Sequence, residues 1–287
     1  MPIAVVGDNI VDVLSGVGTD TLASVGGNCL NVAVNLHRLG ARVEYFGSVG
    51  DDPAGVALIA QLDAEGLDTD RMVRISGTAT GFATIYHVEG DRRFGAFDRG
   101  ASEAPLAPEQ WSALSGARLI HTSYSSALEP QAEQLASIAP VSFDFDEHFD
   151  DAYVDSLIPF VSHAFFSAAA REDDEIRAYA RRLLQIGVQT VTVTRAERSA
   201  MHFCAAGEWH QPSLPIETVD TLGAGDAFIA GMIAGIVSGA DPQSTLIRAA
   251  EIAARTCLEP GSVGLFIDPD LIGETENLTR DHESHIE

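Results

Sequence analysis

The chain has no lysine: all 17 formal cations among its 287 residues are arginines. Three chemistries are excluded with that one residue type. A phosphate loop of the form GxxxxGKS/T needs a lysine for the β- and γ-phosphates, a protein kinase needs one on a strand, and a Schiff-base enzyme needs an amine nucleophile. Cysteine is scarce as well. Cys29, Cys204 and Cys257 are widely spaced and odd in number, so they form neither a CxxC metal pair nor a disulfide framework, which fits a reducing cytoplasm. The nine histidines form no HxH or HExxH pair, HTSYSSA (121–127) lacks the GxSxG elbow of a hydrolase, and GVGTDT (16–21) lacks the third glycine of a dinucleotide fingerprint. Long apolar runs are missing too. Nowhere do about 18 apolar residues follow one another, and the opening MPIAVVGDNIVD carries no cationic stretch, so neither a membrane span nor an export signal is expected.

What is present is ordinary globular composition, 46 % hydrophobic and 21 % charged, in a length that suits one large domain or two smaller ones. The 42 acidic residues bring the net charge to −25. A surface so negative repels polyphosphate backbones and anionic lipid, so nucleic acid and membranes are not expected partners. Either codon bias in a high-GC genome or a saline cytoplasm accounts for the missing lysine.

Along the chain, Ile3 to Gly7 (IAVVG) reads as a strand buried on both faces. GGNCLNVAVNLHRLGA (26–41) has helical spacing and a stop at Gly40, and VEYFGSVG (43–50) reads as the next strand. Strand, helix, strand is a βαβ unit, and it recurs where a helix over Glu172 to Ile186, closed by Gly187, leads into VQTVTVT (188–194). Thr78 to Phe97 reads as a hairpin with its turn at Glu89 to Asp91; with Val13 to Val25 it predicts a small sheet beside the α/β body, either a lid or a surface ornament. The residues after 267 form an acidic tail with little periodicity.

The segment richest in chemistry is DTLGAGD (220–226), followed by the alanine- and isoleucine-rich run Ala227 to Val237. Gly223, Ala224 and Gly225 stand at the start of a buried helix, where free amides and the positive dipole end hold an anion without lysine. Asp226, in the first turn, is either a helix cap or a base aimed at an acceptor hydroxyl. Phosphoryl transfer needs little more than donors for the moving charge, a metal on the nucleotide and such a base, so the spacing proposes a kinase.

DTLGAGD resembles the second signature of the PfkB, or ribokinase-like, carbohydrate kinases, and GGNCLNVAVNLHRLG followed by Gly50 resembles the first. The resemblance spans most of residues 1–267. It implies a central, mostly parallel α/β sheet with helices on both faces, a β lid, ATP and Mg²⁺, with Asp226 as base and Gly223, Ala224 and Gly225 as anion hole. GDNIVD, GGN, DRRFG and SFDFDEHFD look like the fructoselysine 6-kinase branch of that family, which implies 6-phosphorylation of fructoselysine or another fructosamine. Other small polyols, such as fructose, 2-keto-3-deoxygluconate or a nucleoside, stand as alternatives, as does a weakly catalytic sugar-binding protein.

The residues implied to face the sugar are Asp8, Asn9, Asp12, Gly27, Asn28 and Asn31, with Arg92 or Arg93 reaching from the lid. Asp144, set between Phe143 and Phe145, is either a ligand for a substrate amine or hydroxyl or a structural acid paired locally. The usual TxGxxG nucleotide loop is here Thr194-Arg-Ala196-Glu-Arg-Ser199, so Thr194, Ala196, Ser199 and Thr221 are the implied nucleotide contacts and any angle that required glycine is strained. Where many members have NxxE near the metal, Ser167-Ala-Ala-Ala170 stands instead, leaving Glu172 or Asp173 to act through water. Ile10 replaces the asparagine that ribokinase uses for ribose. A homodimer through the lid is common in the family.

Overall fold

The computed structural model describes residues 1–15, 21–88 and 91–272. The first strand, β1 (Ile3–Val6), is buried throughout, and its alternation sorts the interior. Ile3 and Val5 enter one hydrophobic core, Ala4 and Val6 another, one on each face of the sheet. From β1 the chain passes through β2 (Ile10–Ser15) and β3 (Leu22–Gly26) into α1 (Asn28–Arg38), and β4 (Val43–Phe46) returns parallel to β1. Then come β5 (Ser48–Gly50), α2 (Pro53–Glu65), β6 (Val73–Ile75) and two long strands, β7 (Thr80–Val88) and β8 (Asp91–Gly100).

Helices and strands alternate next: α3 (Pro108–Ala113), β9 (Leu119–Ser123), α4 (Ala132–Ala136), β10 (Val141–Asp144), α5 (Asp151–Leu157), β11 (His163–Ser167), α6 (Asp173–Ile186) and β12 (Thr190–Thr194). The chain closes with β13 (Ser199–Cys204), β14 (Gly207–Pro212), α7 (Ala224–Ser238), α8 (Pro242–Thr256) and β15 (Phe266–Ile267). The central sheet has the order β14-β13-β12-β11-β10-β9-β1-β4, parallel from β4 to β12 and antiparallel beyond. The C-terminal ends of the parallel strands therefore share one edge, where α/β sheets receive ligands. A second sheet, β15-β3-β2-β7-β8, includes the hairpin strands, and its Val11, Val13 and Val25 join the first core. Residues 89 and 90 of the expected turn, and the tail from 273 on, lie outside the described residues.

One expected strand divides. VEYFGSVG belongs to two sheets, β4 to the central one and β5 to a small pair with β6, with Gly47 between them. A side chain at 47 would come within 2.6 Å of the Tyr45 hydroxyl and 2.7 Å of Asn9 Nδ2, so the chain leaves the sheet where only glycine fits. Close approach also explains the small residues of α7. A Cβ on Gly231 would stand 2.7 Å from Ala249 Cα, and one on Gly235 2.2 Å from Thr245, so these glycines set how near α7 and α8 lie. Among the described residues no helix is long and apolar enough to cross a membrane.

Candidate active site

The N-terminus of α1 is capped from a distance. Its own N-cap, Gly27, offers no side chain, and Asp8, just past β1, takes over: Oδ2 accepts from the Asn28 amide at 2.8 Å and Oδ1 from the Cys29 amide at 3.2 Å. The Ser126 and Ser123 hydroxyls also donate to Oδ1, at 3.2 and 3.4 Å. Both oxygens of Asp8 are thus engaged in seating the helix. Asp8→Ala is expected to lower unfolding free energy by about 2 kcal/mol, because it leaves buried donors unpaired; urea denaturation checks it. Gly27, at φ 111°, packs so tightly that a Cβ would stand 2.6 Å from Asn9 Cα. Asn9 is buried and donates to the Tyr45 hydroxyl at 3.1 Å, while Asp12, on β2, lies over Gly26 in space a Cβ would fill. These residues build the floor under α1 and line neither of the cavities above it.

The first of those cavities, about 110 Å³, collects side chains far apart in sequence: Asn28 from α1, Tyr124 beyond β9, Asp144 and Asp146 at the end of β10, and Gly225 and Asp226 from α7. Asn28 Nδ2 donates to Asp144 Oδ2 and Asn31 Nδ2 to Asp226 Oδ2, each at 2.8 Å, so one face of the first turn of α1 holds both carboxylates. The other Asp144 oxygen accepts from the Asp146 amide at 2.9 Å. Burial pushes Asp144 up to about 6, opposed by these two donors and reinforced by Asp146 and Asp8. Asp226 is raised well above the carboxylate range, first by desolvation and then by the charges of Asp144, Asp8 and Asp146, with Asn31 pulling the other way. Although part of the Asp226 residue touches solvent, protein surrounds its carboxylate, and desolvation governs its proton.

At the start of α7, Gly223 is the N-cap in the left-handed region (φ 74°), where a Cβ would also strike Ser262 at 2.7 Å. Ala224, whose amide donates to the Thr221 carbonyl at 3.3 Å, and Gly225 follow in the first turn, whose amides an α-helix leaves without intrahelical partners. Gly225 has open space where a Cβ would be and borders both cavities.

The second cavity, about 730 Å³, is lined by Thr194, Ala196 and Ser199 around the β12–β13 turn, by Thr221 and Ala224, and by Leu214, Ile216 and Phe228 on an apolar side. It shares Asp146, Ser167, Thr194 and Gly225 with the first. Ala196 occupies the left-handed region at φ 49°, the strain expected where glycine is replaced. Glu172 is not brought to either cavity. It is the exposed N-cap of α6, 3.9 Å from Arg198, while Asp146 and Glu147 line the large cavity instead. Asp173 is likewise occupied, by Arg195 and Arg177. The side chain of Arg92 lies outside the described residues, and Arg93, opposite Tyr86 on β8, is exposed. Tyr124 and Asp146 escaped sequence reasoning. The repeated acid of Phe143-Asp144-Phe145-Asp146 was the available signal, but Asp146 reaches the cavity because the chain turns left-handed there (φ 49°), which no periodicity announces.

A helix-start carboxylate in a small cavity that shares a wall with a larger one, at the strand ends of such a sheet, defines a phosphotransferase of ribokinase-like fold. Residues 5–266 match the pfkB family carbohydrate kinase model, and the chain belongs to that family; it is an ATP-dependent carbohydrate kinase. It is 35 % identical over 268 residues to a fructosamine kinase of Bacillus subtilis, covering 92 % of this chain and 93 % of the other. With a fructoselysine 6-kinase of Escherichia coli it shares 30 % over 256 residues, 88 % of this chain and 96 % of that one. Among solved structures, a putative ribokinase II of E. coli in complex with ATP and Mg²⁺ superposes with a TM-score of 0.80 at 23 % identity, covering 98 % and 99 % of the two chains.

Proposed function

We propose that this kinase phosphorylates the 6-hydroxyl of a fructosamine, with fructoselysine as first choice. The observation that carries the reading is the shared wall of the two cavities: Gly225, beside Asp226, borders both, so a hydroxyl in one can face a phosphate in the other. In this reading the acceptor sugar occupies the smaller cavity and the nucleotide the larger one, against Thr194, Ala196, Ser199 and Thr221. Asp226 orients the hydroxyl and takes its proton, and its raised proton affinity makes it a better base than a solvated carboxylate. The first-turn amides of α7 hold the charge on the moving phosphoryl group.

The substrate class is supported by charge. Three carboxylates, Asp144, Asp146 and Asp226, line the smaller cavity, and no arginine stands among its lining residues. A secondary ammonium relieves that crowding where a neutral sugar would not, and the two relatives named above are kinases of this class. Asn28 and Asp144 face the sugar directly; Asn31, Asp8, Asn9, Gly27 and Asp12 act from behind or beside them.

Mg²⁺ fits the hard oxygens of Asp146, with Glu147 close by, better than Glu172. Among the described residues no three acidic, histidine or cysteine groups form a cage, which suits an ion that keeps its waters and takes phosphate ligands. When bound it would neutralise phosphate charge.

The second sheet acts as a lid in this reading, and also as the seam of a homodimer. Phe94 and Phe97 on its edge strand are 71 % and 57 % exposed, an apolar face that a second copy would cover. Sedimentation at micromolar concentration is expected to show a dimer, and Phe94→Asp to shift it toward monomer. A cytoplasmic location fits the scarce, widely spaced cysteines of the sequence.

The substrate test is ATP consumption across fructoselysine, other fructosamines, fructose, 2-keto-3-deoxygluconate, ribose and adenosine, with ³¹P NMR of the product. A 6-phosphate formed from a fructosamine is the expected result. Turnover confined to fructose, a keto-acid sugar or a nucleoside would overturn the substrate class and leave the kinase assignment intact.

A further inference from the structure

The β12–β13 turn carries a conformational debt at the nucleotide cavity. Ala196, at φ 49°, adopts a backbone that costs a non-glycine residue about 1–2 kcal/mol, yet the cavity wall depends on it. Hydrogen bonds from the Arg195 amide to the Ser199 carbonyl (2.8 Å) and from the Arg198 amide to the Arg195 carbonyl (3.0 Å) close the turn, and Ser213 ties it to the chain beyond β14 through its hydroxyl to the Glu197 carbonyl and its amide to the Arg198 carbonyl (3.4 Å), but none of these reaches the 168–173 segment. The side chain of Arg195 does that. Buried to 3 % exposure, it donates through Nη1 to the Asp173 carboxylate at the start of α6 and through Nη2 to the Arg171 carbonyl at 3.0 Å. The same pairing holds the Asp173 carboxyl below the usual carboxylate range. The segment it grips begins at Ala168 and Ala169, which form another part of the cavity wall. Neither Arg195 nor Asp173 lines the cavity.

We propose that Arg195 is a positioning residue for the nucleotide: its ion pair with Asp173 locks the turn at 195–198 to the 168–173 segment, so that Ala196 stays left-handed and both walls keep their spacing. A side-chain anchor here does what glycine would do through backbone freedom, and a buried guanidinium with two fixed partners suits the task better than a flexible ammonium. Arg198 adds a weaker tie, donating to the Ala169 carbonyl at 3.3 Å. The inference rests on the larger cavity being the ATP site.

The test compares Arg195→Met, Asp173→Asn and the double variant in steady-state kinetics with a fructosamine acceptor, alongside titration calorimetry with MgATP. KM and Kd for ATP are expected to rise about tenfold in Arg195→Met and nearly as much in Asp173→Asn, with the double variant no worse than Arg195→Met. kcat at saturating ATP stays within about twofold, and KM for the sugar is unchanged. Because Asp173 is 41 % exposed at its side chain, Asp173→Asn folds even where loss of the buried arginine does not. Unchanged ATP affinity in Asp173→Asn, additive losses in the double variant, or parallel changes in both KM values would overturn the proposal. ATP binding by the wild type that is not displaced by mutation of Thr194 or Ser199 would instead overturn the assignment of the cavity, and this inference with it.

Discussion

Asp226→Asn is expected to lower kcat by about 10³-fold or more while the acceptor sugar still binds within a few-fold of wild-type affinity. The substitution keeps the shape of the side chain, and Asn31 can still approach it by rotating its own amide, now held at 2.8 Å from Oδ2. What is lost is the ability to take a proton. One feature enlarges the effect. Desolvation and the neighbouring charges of Asp144, Asp8 and Asp146 raise the proton affinity of the native carboxylate, so the variant forfeits a base stronger than an ordinary aspartate. Single-turnover phosphoryl transfer read by quench-flow, with sugar affinity from calorimetry, separates transfer from binding. Turnover within tenfold of wild type would remove Asp226 from the role of base and leave it as a cap of α7.

Much of this architecture is legible in the sequence because local and tertiary demands coincide there. Ile3 to Val6 is apolar at every position because both faces of β1 are covered, and Gly223 reads as a helix start because φ 74° and the contact with Ser262 each require glycine. The losses come where one demand is invisible. Val43 to Gly50 has the composition of one strand, but the break at Gly47 is set by Tyr45 and Asn9, and Asn9 is 38 residues away in sequence. The two residues of β15 join the second sheet by pairing with Ser24 and Ala23, more than 240 residues earlier, and two residues carry no period. Asp8 reads as a residue beside the sugar, but that its oxygens seat the start of α1, twenty residues later, is not legible from its neighbours in sequence. Glu172 reads as acting on a metal through water from its position after Ser167, whereas it stands exposed as the N-cap of α6.

Acid is expected to destabilise the fold steeply between pH 6.5 and 4, and the cause is a row of histidines inside the central sheet. His121 on β9, Ser142 on β10, His163 on β11 and Thr190 on β12 stand in register across four neighbouring strands, and His202 on β13 pairs with Thr192. Each imidazole has a hydroxyl partner: His121 Nδ1 and Ser142 Oγ at 3.0 Å, His163 Nδ1 and Thr190 Oγ1 at 3.0 Å, His202 Nδ1 and Thr192 Oγ1 at 2.8 Å. None has a carboxylate partner among the described hydrogen bonds and ion pairs, and burial lowers His121 to about 3 and His163 and His202 to about 4. The folded chain therefore refuses protons that the unfolded chain accepts near pH 6.5, so the stability is fully present above that value and is lost as the pH falls toward the folded values. Between pH 8 and 5 each histidine costs about 2 kcal/mol and the three together about 6 kcal/mol.

Two carboxylates oppose this. Asp144, at about 6, gains protons more readily folded than unfolded and returns about 1.4 kcal/mol by pH 5, and Asp226 acts in the same direction. Three imidazoles shifted down by two units or more face Asp144, shifted up by about two, and Asp226, whose buried carboxylate is raised well above the usual range. The imidazoles set the direction, a net loss of stability on acidification whose size both carboxylates reduce. Urea denaturation at pH 8, 6.5 and 5 measures it, and His121→Asn is expected to flatten the profile by about 2 kcal/mol while lowering stability at pH 8. Asp144→Asn is expected to steepen it by removing the opposing group. A wild-type profile level from pH 8 to 5, or one that the His121→Asn variant leaves as steep, would show that these imidazoles take up protons within the folded sheet.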